Sequence, residues 1–270
     1  MNLNTIVKVK RPRSLDELEW RDGHAFLAGG TWLFSEPQVA TDTLVDLEQL
    51  GWPALTASAD GLEIAATCKI VELHDFKGPL EWRAVPLFDK CIDAFLMSFK
   101  IWNAATVGGN VCMSLPAGAM ISLTAALEGV CTLWPQNGKP RQVPVVDFVT
   151  GMHTNVLQKG ELLRSIFLPA SALRKRYSMR QVSLTHFGRS AALIIATVND
   201  GGEDFLLTIS AATPRPVHLR FQKTPSAAEM RQAIDERLPA GAWFHDVHGS
   251  APYKRHVTHY LAEQIRAELS

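Results

Sequence analysis

Cysteine is scarce in this sequence. Four occur among 270 residues, at positions 68, 91, 112 and 131, and none belongs to a C-x-x-C pair. Structural zinc and iron–sulfur clusters need closely spaced thiolates, so neither is expected here. The reading is of four reduced, mostly buried thiols in a cytoplasmic protein. An excess of one charge is also missing: 27 Lys plus Arg balance 27 Asp plus Glu. That balance excludes a strongly basic nucleic-acid binder and a polybasic membrane binder. No apolar run reaches the roughly 18 residues of a membrane helix. The first residues, MNLNTIVKVKRPRS, carry no apolar signal core after their charges. Catalytic signatures are absent too: no G-x-S-x-G, H-E-x-x-H, G-x-x-x-x-G-K-S/T or G-x-G-x-x-G. Two histidine pairs, His245/His248 and His256/His259, could be imagined as metal clamps, but surface or helix-face histidines are the plainer account. Redox chemistry would have to come from an organic cofactor or a partner.

What is present is a chain that is 47% hydrophobic and long enough for one or two cores. The first fifty residues read as strand (Ile6 to Val9), helix (Leu15 to Trp20, with capping-box spacing from Ser14 to Glu17), strand (His24 to Ala28), glycine turn, short helix and strand (Thr43 to Leu47). A strand over Gly61 to Ala65 and a short helix over Lys69 to Leu73 follow. Val85, Phe88, Ile92, Phe95, Leu96 and Phe99 have helical spacing from Ala84 to Phe99. A further helix is expected around Ala119 to Leu127, and strands at Val130 to Trp134 and Leu162 to Leu168, with Pro169 as a boundary. Beyond it, Tyr177 to Leu184, Ala191 to Val198 and Phe205 to Ala212 read as three strands. The last two are joined by the hairpin turn Asn199-Asp-Gly-Gly202. A helix opens at Pro225 and runs to about Arg237, and an amphipathic helix covers Tyr253 to Leu269.

Two glycine pairs stand out. Ala28-Gly29-Gly30-Thr31 ends a strand, and Thr106-Val107-Gly108-Gly109-Asn110 is expected in a loop before a helix. Gly-Gly lets a backbone approach a ligand closely and aim consecutive N–H groups at one point. Each loop suits one phosphate, and the two together suit a pyrophosphate. A tight turn alone would also use Gly-Gly, and composition does not decide between the two.

Phe26-Leu-Ala-Gly-Gly-Thr-Trp-Leu33 resembles the L-A-G-G-T-D-L loop of the flavin subunits of molybdenum hydroxylases. Ile101-Trp-Asn-Ala-Ala-Thr-Val-Gly-Gly-Asn-Val111 resembles their I-R-N-x-A-T-I-G-G-N-I segment. Pro116-Ala-Gly-Ala119 is similar to their S-P-x-x-D with changes. Gly160-Glu-Leu-Leu-Arg-Ser-Ile-Phe-Leu-Pro169 resembles the strand ending their flavin domain. Gly249-Ser-Ala-Pro-Tyr-Lys-Arg-His256 resembles S-A-x-Y-R-R-H near their C-terminus. The matches run in order from near residue 10 to near 260.

The resemblance implies an α+β fold: a PCMH-type FAD-binding domain of two α/β subdomains (1–54 and 55–170), then a small C-terminal α+β domain (171–270) with a three-stranded antiparallel sheet and helices. It implies non-covalent FAD with its pyrophosphate between the glycine loops. Leu27, Ala28, Gly29, Gly30, Thr31, Trp32 and Leu33 fall on the first loop, and Thr106, Gly108, Gly109 and Asn110 on the second. Leu163 falls where the family places an apolar flavin contact, and Arg180 falls at the family's flavin-domain lysine. Ala119 falls where an Asp serving the adenosine end is usual. Trp32 stands where an acid is common, and Leu115 replaces the Ser before Pro116. The implied role is electron transfer within a complex. A small iron–sulfur subunit would carry 2Fe–2S clusters and a large subunit molybdopterin, and NAD or another acceptor would take the electrons. The alternatives are a self-contained FAD-dependent oxidoreductase of the same superfamily and a flavin-less assembly subunit, the latter motivated by Trp32 and Ala119.

Overall fold

The computed structural model describes residues 3–95, 97–185 and 188–270. Leu96, counted in the helical pattern above, lies outside them. The first segment forms β1 (Lys8–Lys10), β2 (His24–Leu27) and β3 (Thr43–Asp46), a parallel sheet in the order β1-β3-β2. The helix expected over Leu15 to Trp20 is a single 3-10 turn, Leu15–Glu17. Its capping box does not close: Ser14 caps nothing, and the Glu17 carboxylate accepts instead from the Arg13 N–H at 2.8 Å.

The middle of the chain contributes β4 (Leu55–Ala57), β5 (Gly61–Ala65), α1 (Ile70–His74), α2 (Leu87–Asp93), α3 (Phe99–Trp102), α4 (Val107–Met113), α5 (Ala119–Ala126), β6 (Val130–Trp134), β7 (Arg141–Pro144), α6 (Val145–Phe148), β8 (Val149–Gly151), β9 (Thr154–Asn155), β10 (Leu162–Pro169) and α7 (Ala170–Leu173). A five-stranded antiparallel sheet runs β4-β5-β10-β6-β7, and β8 and β9 form a small hairpin. The helix expected from Ala84 to Phe99 is broken into α2 and α3. Leu87, Phe88, Cys91 and Ile92 keep helical burial, but after Ala94 the chain turns, and Phe99 is exposed at the start of α3.

The C-terminal region holds β11 (Arg176–Ser183), β12 (Ser190–Val198), β13 (Glu203–Ser210), β14 (Val217–Lys223), α8 (Ala227–Arg237) and α9 (Ala251–Leu269). The sheet has four antiparallel strands, β11-β12-β13-β14, not the three expected. β14 is an edge strand between Pro216 and Pro225, with Val217 and Leu219 buried and Arg220, Gln222 and Lys223 exposed. The turn at Asn199–Gly202 is as expected, with Gly202 at φ +76°. Pro225 precedes α8 rather than entering it. Ser226 caps the helix, accepting from the Glu229 N–H while the Glu229 carboxylate accepts from the Ser226 N–H.

All nine residues of β12 are buried. Strand side chains alternate faces, and here the two faces belong to different cores. Leu193 and Ile195 join the core of the middle segment. Ala192, Ile194, Ala196 and Val198 join the core under α8 and α9. Helix α5 is buried on every side and packs on β12 and β13, where Ser122 and Ser210 share a 2.7 Å hydroxyl–hydroxyl bond.

Candidate functional site

One cavity of about 910 Å³ opens where the three large sheets meet. That is the upper end of the usual range for small-molecule sites. Its walls include Leu27 to Leu33, Thr106, Gly108 to Asn110, Glu161 to Leu163, Arg189 and the segment from Phe244 to His248. Twelve of the fourteen residues singled out from sequence therefore share one cavity wall.

The first loop leaves β2 at Leu27. Gly30 takes φ +69°, a left-handed conformation that favours glycine. Gly29 is needed for a different reason. A Cβ there would sit 1.9 Å from the Ala104 carbonyl oxygen, so the bare backbone lets this loop touch the segment leading into α4. Phe34 N–H donates to Gly30 O at 2.8 Å and Ser35 N–H to Trp32 O at 2.8 Å. Five consecutive N–H groups, Gly29 to Leu33, have no acceptor among the described residues. Such a row of amides is an anion cradle.

The second glycine pair is the first turn of α4, not a loop before a helix, and its amides are already used. Val107 N–H donates to Cys68 O at 2.9 Å and Gly108 N–H to Ala66 O at 3.1 Å. Gly109 N–H donates to Thr106 Oγ1 and Asn110 N–H to Thr106 O, both at 3.1 Å. Gly108 is required because a Cβ would lie 2.5 Å from Ala66. At Gly109 a Cβ would meet Thr106 Oγ1 and nothing else. This turn supplies an uncluttered backbone surface rather than a second set of free donors. The Asn110 side chain accepts from the Met120 N–H at 3.2 Å, which ties α4 to the start of α5.

Leu163 sits on β10, next to a register shift between Leu163 and Ser165. Glu161 beside it is fully engaged. Arg141 grips its two oxygens at 2.8 and 2.7 Å, and the Gln158 N–H donates at 3.0 Å. Burial alone would raise the Glu161 carboxyl, but Arg141 and that N–H outweigh it and hold it low. Trp32 packs against His153 across the cavity, ring centroids 5.8 Å apart, with His153 on the β8–β9 turn at φ +54°.

Two residues expected at the site do not line it. Ala119 is completely buried in the core at the first position of α5. Arg180 lies on β11 and is engaged elsewhere, by the Glu268 carboxylate, Ser178 Oγ at 3.2 Å and Met179 O at 2.9 Å. The resemblance placed both without knowledge of which way their elements face. The reading from residues also missed His153, Arg189 and Asp246. Asp246 lies three residues before the Gly249–His256 segment, the only local signal that could have found it. Among the described residues no group of three or more His, Cys, Asp or Glu could hold a metal ion. His259 pairs with Asp235 at 3.1 Å, and His248 lines the cavity.

Three sheets meet at a cavity with an amide cradle on one wall, an arrangement suited to an extended, phosphate-bearing cofactor. The chain belongs to the family described as FAD binding domain in molybdopterin dehydrogenase, whose model matches residues 6–171. It is therefore an FAD-binding domain of the molybdenum-hydroxylase type. Over 123 residues, 43% of the chain, it is 28% identical to xanthine dehydrogenase 1 of Arabidopsis thaliana and 30% identical to xanthine dehydrogenase of Oryza sativa subsp. japonica. Those matches span 9% of each relative, so the chain corresponds to a small part of them. It is 24% identical over 212 residues to caffeine dehydrogenase subunit beta of Pseudomonas sp. (strain CBB1), covering 72% of this chain and 69% of that one. Two solved structures share the fold: quinoline 2-oxidoreductase from Pseudomonas putida 86 (TM-score 0.77, 18% identity, 97% of this chain and 96% of that one) and carbon monoxide dehydrogenase from Hydrogenophaga pseudoflava (TM-score 0.78, 18% identity, 96% of each).

Proposed function

We propose that this chain is the FAD-binding electron-transfer subunit of a molybdenum hydroxylase complex. The observation that carries the reading is the row of unpartnered amides from Gly29 to Leu33 on the wall that also holds bare Gly109. FAD, when bound, supplies the redox chemistry. The chain's own residues bind and orient it. The Gly29–Leu33 amides would hold phosphate oxygens, with Thr31 Oγ1 and Asn110 Nδ2 as further donors. Gly109 leaves room for close approach, and Leu27 and Leu163 exclude water from one wall. Cys112, the thiol on the cavity wall, is pushed up to about 12 by burial. It stays protonated at neutral pH, which supports non-covalent attachment.

In this reading segments 1–54, 55–170 and 171–270 each furnish part of the site. Electrons arrive from 2Fe–2S clusters on a small subunit, fed by a molybdopterin-bearing large subunit, and leave to NAD or another acceptor. The relative named as a subunit beta supports a multi-subunit setting. The four free thiols support a cytoplasmic location. No helix among the described residues is long and apolar enough to cross a membrane.

The test is purification of the full chain, acid precipitation and metal analysis. Flavin in the supernatant, no stoichiometric iron, and co-purification with two further subunits are expected. Flavin in the pellet or iron in the chain would contradict the cofactor assignment. A flavin-loaded chain that turns over substrate unaided would favour the self-contained oxidoreductase.

A further inference from the structure

The two glycine segments contain no acid, and Trp32 stands where an acid is common in the family that the sequence resembles. The carboxylates that do line the cavity are Glu161 and Asp246. Glu161 has both oxygens taken by Arg141. Asp246 is different. Its Oδ1 lies 2.9 Å from Lys254 Nζ and accepts from the His248 N–H at 2.9 Å. Its Oδ2 has no partner among the described residues, the side chain keeps 22% exposure, and the residue lines the cavity.

Lys254 is completely buried, an unusual state for an ammonium group. Besides Asp246 it has the Ala211 carbonyl at 3.2 Å and the Phe244 ring at 5.0 Å. Both of those residues also line the cavity. Desolvating a cation costs several kcal/mol, so methionine would fill this space more cheaply if packing were the only requirement. What the ammonium adds is a fixed direction for the Asp246 carboxylate, held at 2.9 Å. When a ligand displaces water from the cavity, Oδ2 must receive a donor from that ligand or remain unpaired at a cost.

Resting on the FAD reading above, we propose that Asp246 accepts a hydrogen bond from a hydroxyl or N–H group of FAD, and that Lys254 is its positioning residue. The C-terminal segment would then complete the cofactor site and provide the carboxylate that the two glycine segments lack.

The deciding variant combines Asp246→Asn with Lys254→Met in the full chain, so that neither charge is left buried alone. FAD affinity is measured by titrating the deflavo-protein, and stability by thermal unfolding without flavin. The expected result is a melting temperature close to that of the wild type with a dissociation constant raised about ten- to a hundredfold, the usual span for losing a hydrogen bond to a charged group. A purely structural pair would leave affinity within twofold in the folded double variant, whatever the change in melting temperature, and that result overturns the proposal. If the double variant does not fold, Asp246→Glu keeps the charge and the Lys254 partner but moves the carboxylate by one methylene. Weakened FAD binding at wild-type stability supports the proposal, and unchanged binding overturns it. A wild-type chain that takes up no FAD would instead sink the function proposed above.

Discussion

Four glycines in two pairs look alike in sequence and do three different things. Gly30 adopts a backbone conformation other residues avoid, Gly29 and Gly108 permit contact with neighbouring backbone, and Gly109 has only the Thr106 hydroxyl in the place a Cβ would take. Substitutions should separate accordingly. Gly29→Ala drives a methyl into the Ala104 carbonyl and is expected to destabilise the chain by about 1–3 kcal/mol or more, whether or not flavin is present. Gly109→Leu disturbs only the Thr106 cap, a loss of about 1 kcal/mol, yet fills the approach to the amide cradle. Circular dichroism should show a folded Gly109→Leu chain, and flavin titration should show lost binding. Wild-type affinity in that variant would remove the pyrophosphate from this wall. Ala119 gives a prediction of opposite character. Because it faces the core, Ala119→Asp buries a carboxylate without a partner rather than offering it to a ligand. The expected result is a loss of at least about 3 kcal/mol with no gain in FAD affinity. Tighter flavin binding at unchanged stability would show that the residue turns toward the cofactor.

Elements are joined here by charge as well as by apolar packing. Lys175, after α7, is buried and bridges Glu128 at 2.8 Å and Asp204 at 2.6 Å, and Arg220 of β14 binds the same two carboxylates. Burial alone would raise both carboxyls, but Lys175 and Arg220 outweigh it and hold them below the ordinary range. A carboxyl held low in the folded state contributes stability that is present above its unfolded pKa and lost as pH falls through the folded one. The cluster's contribution is therefore present at neutral pH and fades below about pH 4. Lys175→Met leaves the carboxylates with the half-exposed, screened Arg220 and should cost about 2–3 kcal/mol at pH 7. The cost should shrink at pH 3.5, where the carboxyls are increasingly neutral. Urea unfolding at the two pH values checks this, and an equal loss at both would exclude the ion cluster as the cause.

At the scale of the whole molecule, the cavity takes walls from β2, α4, β10 and the segment before α9, while β12 belongs to two cores at once. A ligand bound there touches every sheet of three or more strands or a loop attached to it. FAD at a hundred times its dissociation constant should therefore raise stability by about 2.7 kcal/mol in one cooperative transition. Calorimetry showing two transitions, with only one moved by flavin, would contradict that coupling.

Much of this was legible in the residues. Period-two burial marks β6, the Asn199–Gly202 turn marks a hairpin, and Gly-Gly flanked by Thr and Asn marks a bare backbone surface. These signals are local, because a dihedral preference or a side-chain alternation is set by neighbours along the chain. The tertiary structure decided the rest. It consumes the amides of Val107 to Asn110 through acceptors as distant as Ala66, and turns Ala119 inward by packing α5 on β12 and β13. It places Arg180 against Glu268, 88 residues away, and carries Asp246 to a cavity whose glycines lie more than a hundred residues earlier. Local spacing names the residue types a site can use. Which of their donors and acceptors remain free depends on partners that only the folded chain brings within hydrogen-bond distance.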